Sequence, residues 1–441
     1  MGLSIDGLSS GLDTTSLINS LMTIEAAPQS LIKSKAATVQ TSIAAFQGLN
    51  SAVADLAAKA SKLADPKALE QYSASSTASN VKASIGAGAK PGAVDFSVTR
   101  LSQSQVSVTQ DLAAWPYTTM TVTDKAGNAV TVTPLSTSLD DVVSAVNLSG
   151  AGIVASKVSV GGGAYRLQFA AAKSGDAGSF TIADPDGTVG LKPVQDAQDA
   201  QIKLWAGSTS EVTVSSSTNT FAELLPGVSV TVSDVSTSPA RVTIARDNAQ
   251  ISKSASDLVS SVNGVLAQIS TKSTVVSSTD AAGAPVTSGG VFTGDSTVRT
   301  VNAAILSAAT LPVNGKSPSD LGIVLNKTGS IDFDATKFGD AMTKDPVGTM
   351  AAVSTIAARV ADAAKQASDP TSGLLTTKIK GKQSDVKDYT DQIASWDDRL
   401  AMRRATLQQT YSALEVALSG MKAQSAWLSS QISGLSSGSS Q

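Results

Sequence analysis

The sequence predicts an α+β multidomain protein whose two ends are helical and whose middle is antiparallel β. Three observations carry this. Apolar residues recur every seven positions over roughly the first 65 residues. They recur every two positions from about residue 79 to 250. A second seven-residue period runs without a break from Ile379 to Leu435. Periods near 3.5 mark helices that pack on a partner, and period two marks strands with one buried face.

Composition narrows the chemistry. The 441 residues include no His and no Cys, so Ser-His-Asp and Cys-His pairs and imidazole- or thiolate-ligated metals are excluded. Aromatics are only 4%, so the cores must rest on Ala, Val, Leu and Ile. The net charge of −3 offers no basic excess for phosphates, which argues against a nucleic-acid partner. No apolar run reaches 18 residues, so no membrane-spanning helix is expected. The start, Met1-Gly2-Leu3-Ser4-Ile5-Asp6, lacks a basic and an apolar stretch, so no cleaved secretion signal is expected there.

At the N-terminal end Asp13 is the expected helix cap. Leu17, Leu21 and Ile24 mark one face and Pro28 interrupts. Ile32, Val39, Phe46, Val53 and Ala60 then follow at seven-residue spacing, with Ile43, Leu49, Leu56 and Leu63 between them, until Asp65-Pro66. In the middle, strands are expected at 94–98, 120–122, 130–132, 158–160, 165–169, 180–182, 212–214, 228–232 and 242–244. A short helix from Leu139 to Leu148 is capped by Ser138. Helical period returns after about Ser254, with Leu258, Val262, Val265, Leu266 and Ile269 on one face. A Gly/Ser/Thr/Ala linker is expected at 273–290, then a helix capped by Asp345 and ended by Asp369-Pro370.

The last segment has the strongest pattern: Ile379, Val386, Ile393, Leu400, Leu407, Leu414, Met421, Leu428 and Leu435. A seven-residue period this long implies a left-handed supercoil. The second seam position lies three residues on in the first half (Tyr389, Trp396) and four on in the second (Tyr411, Leu418, Ile432), as if the partner changes. The economical arrangement is a coiled-coil stalk made by both ends, with β domains inserted between them. Pro28 and Gly420 punctuate its outermost parts.

Several small motifs have plain readings. Asp184-Pro185-Asp186-Gly187 is a turn without the further ligands of a calcium loop. Asn314-Gly315-Lys316-Ser317 is a loop, because a phosphate-binding loop needs Gly where Thr310 stands. Asp332 and Asp334 alternate with Ile331 and Phe333, which puts them on a strand's solvent face. Arg399, Arg403 and Arg404, beside Asp397 and Asp398, read as a solvated coiled-coil flank.

The opening Gly7-Leu8-Ser9-Ser10-Gly11-Leu12-Asp13, with Leu17 to Met22 and Glu25-Ala26-Ala27-Pro28, resembles the N-terminus of the flagellar hook-associated protein 2 family. Further blocks are similar in the same order: Val94 to Leu101, Ser138 to Asn147 with Tyr165-Arg166-Leu167, Asp199 to Ile202, Ser217 to Thr220, Leu225 to Val228, Thr293-Gly294-Asp295, and Leu321 to Asp334. The family pattern would place a Phe where Ala351-Ala352-Val353 stands.

The resemblance implies a non-enzymatic filament cap without cofactors. Identical subunits, five of them, would form a ring at the distal tip of the bacterial flagellum. That ring would retain exported flagellin and promote its polymerisation. The implied partners are further copies of the chain, flagellin, the hook–filament junction protein and an export chaperone on the C-terminal helix, with export by the flagellar type III route. Residues 1–45 and 405–441 are expected as outer helical segments, and 46–78 with 252–404 as the stalk. Residues 79–103 with 198–251 are expected as one β domain and 104–197 as a second, inserted one. Leu17, Leu21, Ile24, Leu414, Leu418, Met421, Leu428, Ile432 and Leu435 are the candidate assembly residues. They either close on one another within a subunit or leave part of the stripe for partners. Two alternatives remain: a flagellin-like or junction protein, and a surface adhesin presenting Trp115, Tyr117, Tyr165 and Trp205 to glycans.

Overall fold

The computed structural model describes residue 11 and residues 13–437, with side chains through 433. Most of the opening motif, residues 7–10 and 12, and the side chain of Leu435 lie outside the described residues. The chain divides into a helical unit, Met1–Leu69 with Ile251–Gln441, and a β unit, Glu70–Gln250.

The helical unit begins with α1 (Thr14–Glu25), where the Asp13 carboxylate accepts from Ser16 N–H at 2.7 Å. Ala26 separates it from α2 (Ala27–Ala64), with Pro28 in its first turn. Proline is tolerated there because that N–H has no helical partner. The predicted heptads are realised from Ser42 onward, where Phe46, Leu49, Val53, Leu56 and Ala60 are almost wholly buried.

The β unit runs β1 (Tyr72–Ser76), β2 (Val81–Ile85), β3 (Gly92–Arg100), β4 (Val106–Val108), β5 (Met120–Asp124) and β6 (Ala129–Val132). Next comes α3 (Leu139–Leu148), capped by the Ser138 hydroxyl accepting from Asp141 N–H at 3.1 Å. There follow β7 (Ile153–Gly161), β8 (Ala164–Ala171), β9 (Phe180–Ile182), β10 (Lys192–Gln195), β11 (Ala200–Leu204) and β12 (Val212–Ser216). The unit ends with β13 (Thr220–Leu225), β14 (Val228–Val232) and β15 (Ser236–Arg246).

Two separate apolar cores form. A five-stranded sheet, β1-β15-β3-β11-β12, and a three-stranded one, β13-β14-β2, bury Phe96, Val98, Ile202, Phe221, Val230 and Val242. The sheets β10-β4-β8-β7 and β6-β5-β9 join α3 around Trp115, Val142, Leu167 and Phe169. All pairings are antiparallel, as the two-residue period requires.

Side-chain amides close backbone groups that the sheets leave over. Asn147 on α3 donates to Ala155 C=O at 3.0 Å and accepts from Ala155 N–H at 2.8 Å on β7. Gln105 does the same for Phe180 at 2.9 Å each way. An unpaired buried amide costs about 1–3 kcal/mol, so these contacts are structural necessities.

The helical unit resumes with α4 (Asn248–Ser273), β16 (Val275–Thr279), β17 (Pro285–Gly289) and α5 (Ser296–Thr310). Then come β18 (Ile323–Leu325), β19 (Ile331–Phe333), α6 (Ala335–Lys344), α7 (Pro346–Ser368) and α8 (Leu374–Ser437). Helix α7 starts and ends as expected, with Asp345 accepting from Gly348 N–H at 2.9 Å. The α2, α4, α5 and α7 stripes meet in one core that includes Phe46, Leu258, Val262, Ile305, Ile356 and Val360.

Three expectations need correction. The segment 273–290 is not a linker but a hairpin: its β-branched Val275, Val276 and Val286 alternate across a tight turn. Asp334 is not on a strand face; its carboxylate accepts from Thr336 and Lys337 N–H and caps α6. Gly420 does not punctuate α8, which runs 64 residues, about 96 Å at 1.5 Å per residue. A single exposed glycine costs only about 1 kcal/mol against Ala, too little to stop so long a helix.

The Asp184–Gly187 motif is a turn, with Gly187 N–H donating to Asp184 C=O at 3.3 Å. The Tyr117 hydroxyl lies between the Asp184 and Asp186 carboxylates. Partial burial and the two carboxylates push Tyr117 up to about 12, and the same hydroxyl with Thr188 holds Asp186 down at about 2. A raised tyrosine contributes fully below its ordinary pKa and loses that contribution as pH climbs through 12. A depressed carboxylate contributes above its ordinary value of 3.8 and loses that as pH falls through 2. In an ultraviolet titration, one of the five tyrosines should therefore ionise only near pH 12, and Asp186→Asn should bring it back toward 10. A Tyr117 that ionises near 10 would contradict the clasp.

Candidate functional site

Helices α1 and α2 run antiparallel to α8. Arg404 Nη2 donates to Asn19 Oδ1, and Arg403 lies 3.3 Å from Glu25. Gln29 Nε2 donates to Ile393 C=O at 3.3 Å, and Lys382 Nζ stands 5.6 Å from the Phe46 ring centre. As the first number rises the second falls, which fixes the direction. The stalk expected from the sequence is thus a contact between both ends of this one chain.

The half-buried positions of α8 reproduce the seam: Lys382, Val386, Tyr389, Ile393, Trp396 and Leu400, then Leu407, Tyr411, Glu415 and Leu418. The spacing alternates three and four up to Leu400 and shifts afterwards, where the neighbour changes from α2 to α1.

On α1 the inward register differs from the expected one. Ile18 is buried and Leu21 and Met22 are half-buried, whereas Leu17 is 41% and Ile24 73% exposed. A stripe of Leu17, Leu21 and Ile24 was the natural reading of spacing alone. Once Gln29 enters the interface, the whole face turns. Gln29 is only 5% exposed because Ile393 C=O, Asp397 and Lys33 satisfy its amide. A polar residue escapes any search for apolar periodicity. Arg399, Arg403 and Arg404 are exposed beside Asp397 and Asp398, as a solvated flank should be; Arg403 and Arg404 also reach across to α1, and Arg399 stacks on Trp396 at 4.2 Å.

Of the other candidate residues, Leu418 is half-buried, while Leu414, Met421, Leu428 and Ile432 are 45%, 58%, 54% and 58% exposed. From Ser419 to Ser433 every described residue is exposed. Val416 and Trp427, which lie off the heptad line and were not read as site residues, are exposed too. At 100° per residue, Met421, Leu428 and Ile432 form one apolar line, and Val416 and Trp427 form another on a different side. The end of α8 therefore presents apolar surface on two sides.

Elsewhere the base of α8 is tied to α5. Asp295 caps α5 through Val298 N–H at 3.1 Å and pairs with Lys378 at 2.9 Å. Burial opposes ionisation of Asp295, but Lys378 and the N–H groups outweigh it and hold the carboxyl below its ordinary range. A groove of about 660 Å³ opens where Ala352 stands, lined also by Val313, Leu321 and Ile356. Among the described residues no cluster of three or more acidic side chains could hold a metal ion, and no helix is long and apolar enough to cross a membrane. Of the four aromatics considered for glycans, Trp115 is in the core, 6.2 Å from Phe169 and 6.1 Å from Tyr117.

Long helices from both ends of the chain that pair with each other, with β domains inserted between them in the sequence, define a structural protein of the assembling kind. The family model for the flagellar hook-associated protein 2 C-terminus matches residues 197–423, and that for its N-terminus matches residues 10–105. The chain belongs to the flagellar hook-associated protein 2 family, a structural family and not one of enzymes. It is 23% identical to the flagellar hook-associated protein 2 of Escherichia coli K12, over 96% of this chain and 97% of that one. It is 25% identical to the A-type protein of Pseudomonas aeruginosa, over 93% of each. The D1–D2–D3 domains of the Escherichia coli flagellar cap protein FliD share the fold, with a TM-score of 0.58 and 21% identity. That match covers 77% of this chain and 99% of the other.

Proposed function

We propose that this chain is a filament cap subunit, working outside the cell at the distal tip of the bacterial flagellum. Identical subunits form a ring, a pentamer, that retains exported flagellin and promotes its polymerisation, so that the filament elongates. The supporting observation is α8: one face of its first two thirds packs against α1 and α2, while its end carries exposed apolar residues on two sides. Apolar residues left exposed in a group on a helix mark a surface that takes a partner. Leu17, Ile24, Leu414, Met421, Leu428, Ile432 and Leu435 supply contacts to flagellin and to neighbouring subunits, and Leu21 and Leu418 close the seam beneath them.

In this reading 1–45 with 405–441 are outer segments that meet the filament and the hook–filament junction protein. Residues 46–78 with 252–404 form the stalk, 79–103 with 198–251 one β domain and 104–197 a second. Before assembly an export chaperone covers the end of α8, and the chain leaves through the flagellar type III route without cleavage. Negative-stain imaging of the purified full chain, with its mass measured over a range of concentrations, tests the reading. Closed rings with protruding stalks are expected. Long filaments would favour a flagellin-like protein, and single chains that bind a glycan array would favour an adhesin.

A further inference from the structure

Among its described residues the helical unit holds two two-stranded sheets, and the hairpin β16–β17 differs from β18–β19 in burial: Ile323 and Ile331 of β18–β19 are buried, whereas all ten strand residues of β16–β17 are exposed. Yet the β16–β17 hairpin is firmly held at both ends. At its base Gly290 N–H donates to Thr274 C=O and Phe292 N–H to Lys272 C=O, each at 2.9 Å. A Cβ on Gly290 would lie 2.2 Å from Lys272 C=O, so only glycine fits there. Phe292 is buried against Phe46, with ring centres 5.0 Å apart. At the tip, Asp280 N–H donates to Ala284 C=O at 2.9 Å, and the Asp280 carboxylate accepts from Ala282 and Ala284 N–H.

These end contacts set the phase of the ladder. Antiparallel partners alternate between bonded and non-bonded pairs, and 274/290 and 280/284 are bonded, so the even-numbered residues bond inward. The N–H and C=O groups of Val275, Ser277 and Thr279 on β16 therefore point to the outer edge. So do those of Thr287 and Gly289 on β17, together with the C=O of Pro285. Exposed edges of this kind are normally blunted by charge, proline or a covering group. Edge strand β10 carries Lys192 and Pro193, and on β7 Asn147 occupies Ala155. The ten residues of β16 and β17 include no charge, and Pro285 guards a single position.

We propose that this hairpin is a subunit–subunit contact, with the outer edge of β16 in one copy pairing antiparallel with the outer edge of β17 in the next copy. The inference rests on the ring reading above and names the element that joins neighbours. The occupant is a second copy because the hairpin is its own complement. Pairing Val275, Ser277 and Thr279 with Gly289, Thr287 and Pro285 of the next copy repeats the register found inside the hairpin. It continues the Val276/Val286 face from copy to copy, buries no charge and sets no like charges opposite each other. Pro285 removes one donor from that ladder. Because two different edges meet, the contact is head-to-tail, the kind that closes rings. The anchored base leaves little ordering entropy to be lost on association.

The absence of cysteine makes the test clean. Full-length Ser277→Cys and Thr287→Cys variants are prepared separately, then mixed and oxidised. Opposed bonded residues lie about 5.5 Å apart at Cα, within disulfide reach. The expected result is a linked dimer in the mixture and none in either variant alone. A linked dimer with Ser277→Cys alone would mean β16 pairs with β16 and would overturn the proposal. Rings seen by imaging without a mixed cross-link would overturn the hairpin contact and leave the ring reading standing. A chain that stays single at every concentration would overturn both. As a second variant, Ser277→Pro removes only an outward N–H, so it should weaken ring formation at least tenfold at an unchanged melting temperature. Unchanged association would count against the contact.

Discussion

Phe46→Ala should destabilise the helical unit by about 3–5 kcal/mol, the usual cost of deleting a fully buried phenylalanine. Phe46 has no exposed surface, and its ring meets Phe292 at 5.0 Å with Lys382 beyond it. It therefore joins α2, the segment after the hairpin, and α8. Removing it leaves a cavity bounded by elements distant in sequence, which cannot collapse onto the space without moving one another. Urea denaturation followed by far-ultraviolet circular dichroism is the measurement. Leu31→Ala serves as the reference: at 58% exposure on the same helix, it should change stability by no more than about 0.5 kcal/mol. Similar midpoints for the two variants would mean that Phe46 is not the hinge of this core.

Much of this core was legible because its signal is repetition. The seven-residue stripe from Phe46 to Ala60 and the stripe of α7 each place large apolar groups on one face, and burial follows from that face alone. Caps were legible for a related reason. Asp13, Ser138 and Asp345 satisfy backbone N–H groups within their own helices, so no distant contact decides them. The nine strands read from alternation are all strands, whereas several others were missed, among them β1, β2 and β16. Those three are rich in Ser, Ala and Thr, and their strand character comes from the partners they pair with.

The exposed apolar surface proposed as the site was legible along α8 and not across it. Spacing located Met421, Leu428 and Ile432, but which apolar residues are covered depends on where α1 lies against α8. Gln29, Asn19, Arg403 and Arg404 set that placement through hydrogen bonds and an ion pair. Polar contacts between residues more than 360 positions apart leave no periodic trace. That is why Ile18, and not Leu17, faces inward.

Leu428→Asp combined with Ile432→Asp should abolish filament growth while leaving the isolated subunit as stable as before. Both side chains are more than half exposed on a helix that no described residue covers at that point. In the free subunit, exchanging them for carboxylates costs only helix propensity, a few tenths of a kcal/mol each. With shifts of about 2–4 °C per kcal/mol for a unit of this size, the melting temperature should move by only a few degrees. In the proposed docking role the same positions face apolar neighbours in the assembled cap. A carboxylate without a partner there costs several kcal/mol, and the charge recurs in every subunit of a ring. The expected phenotype is a secreted, folded cap protein with flagellin appearing in the medium as monomer. Leu428→Met with Ile432→Leu keeps the apolar surface and should keep motility. A large fall in melting temperature for the Asp pair would show that this end of α8 is packed within its own subunit. Normal filaments would show that it touches nothing that matters for growth. Either result removes the docking role from Leu428 and Ile432, and the choice between them is read from one melting curve and one measurement of secreted flagellin on the same variant.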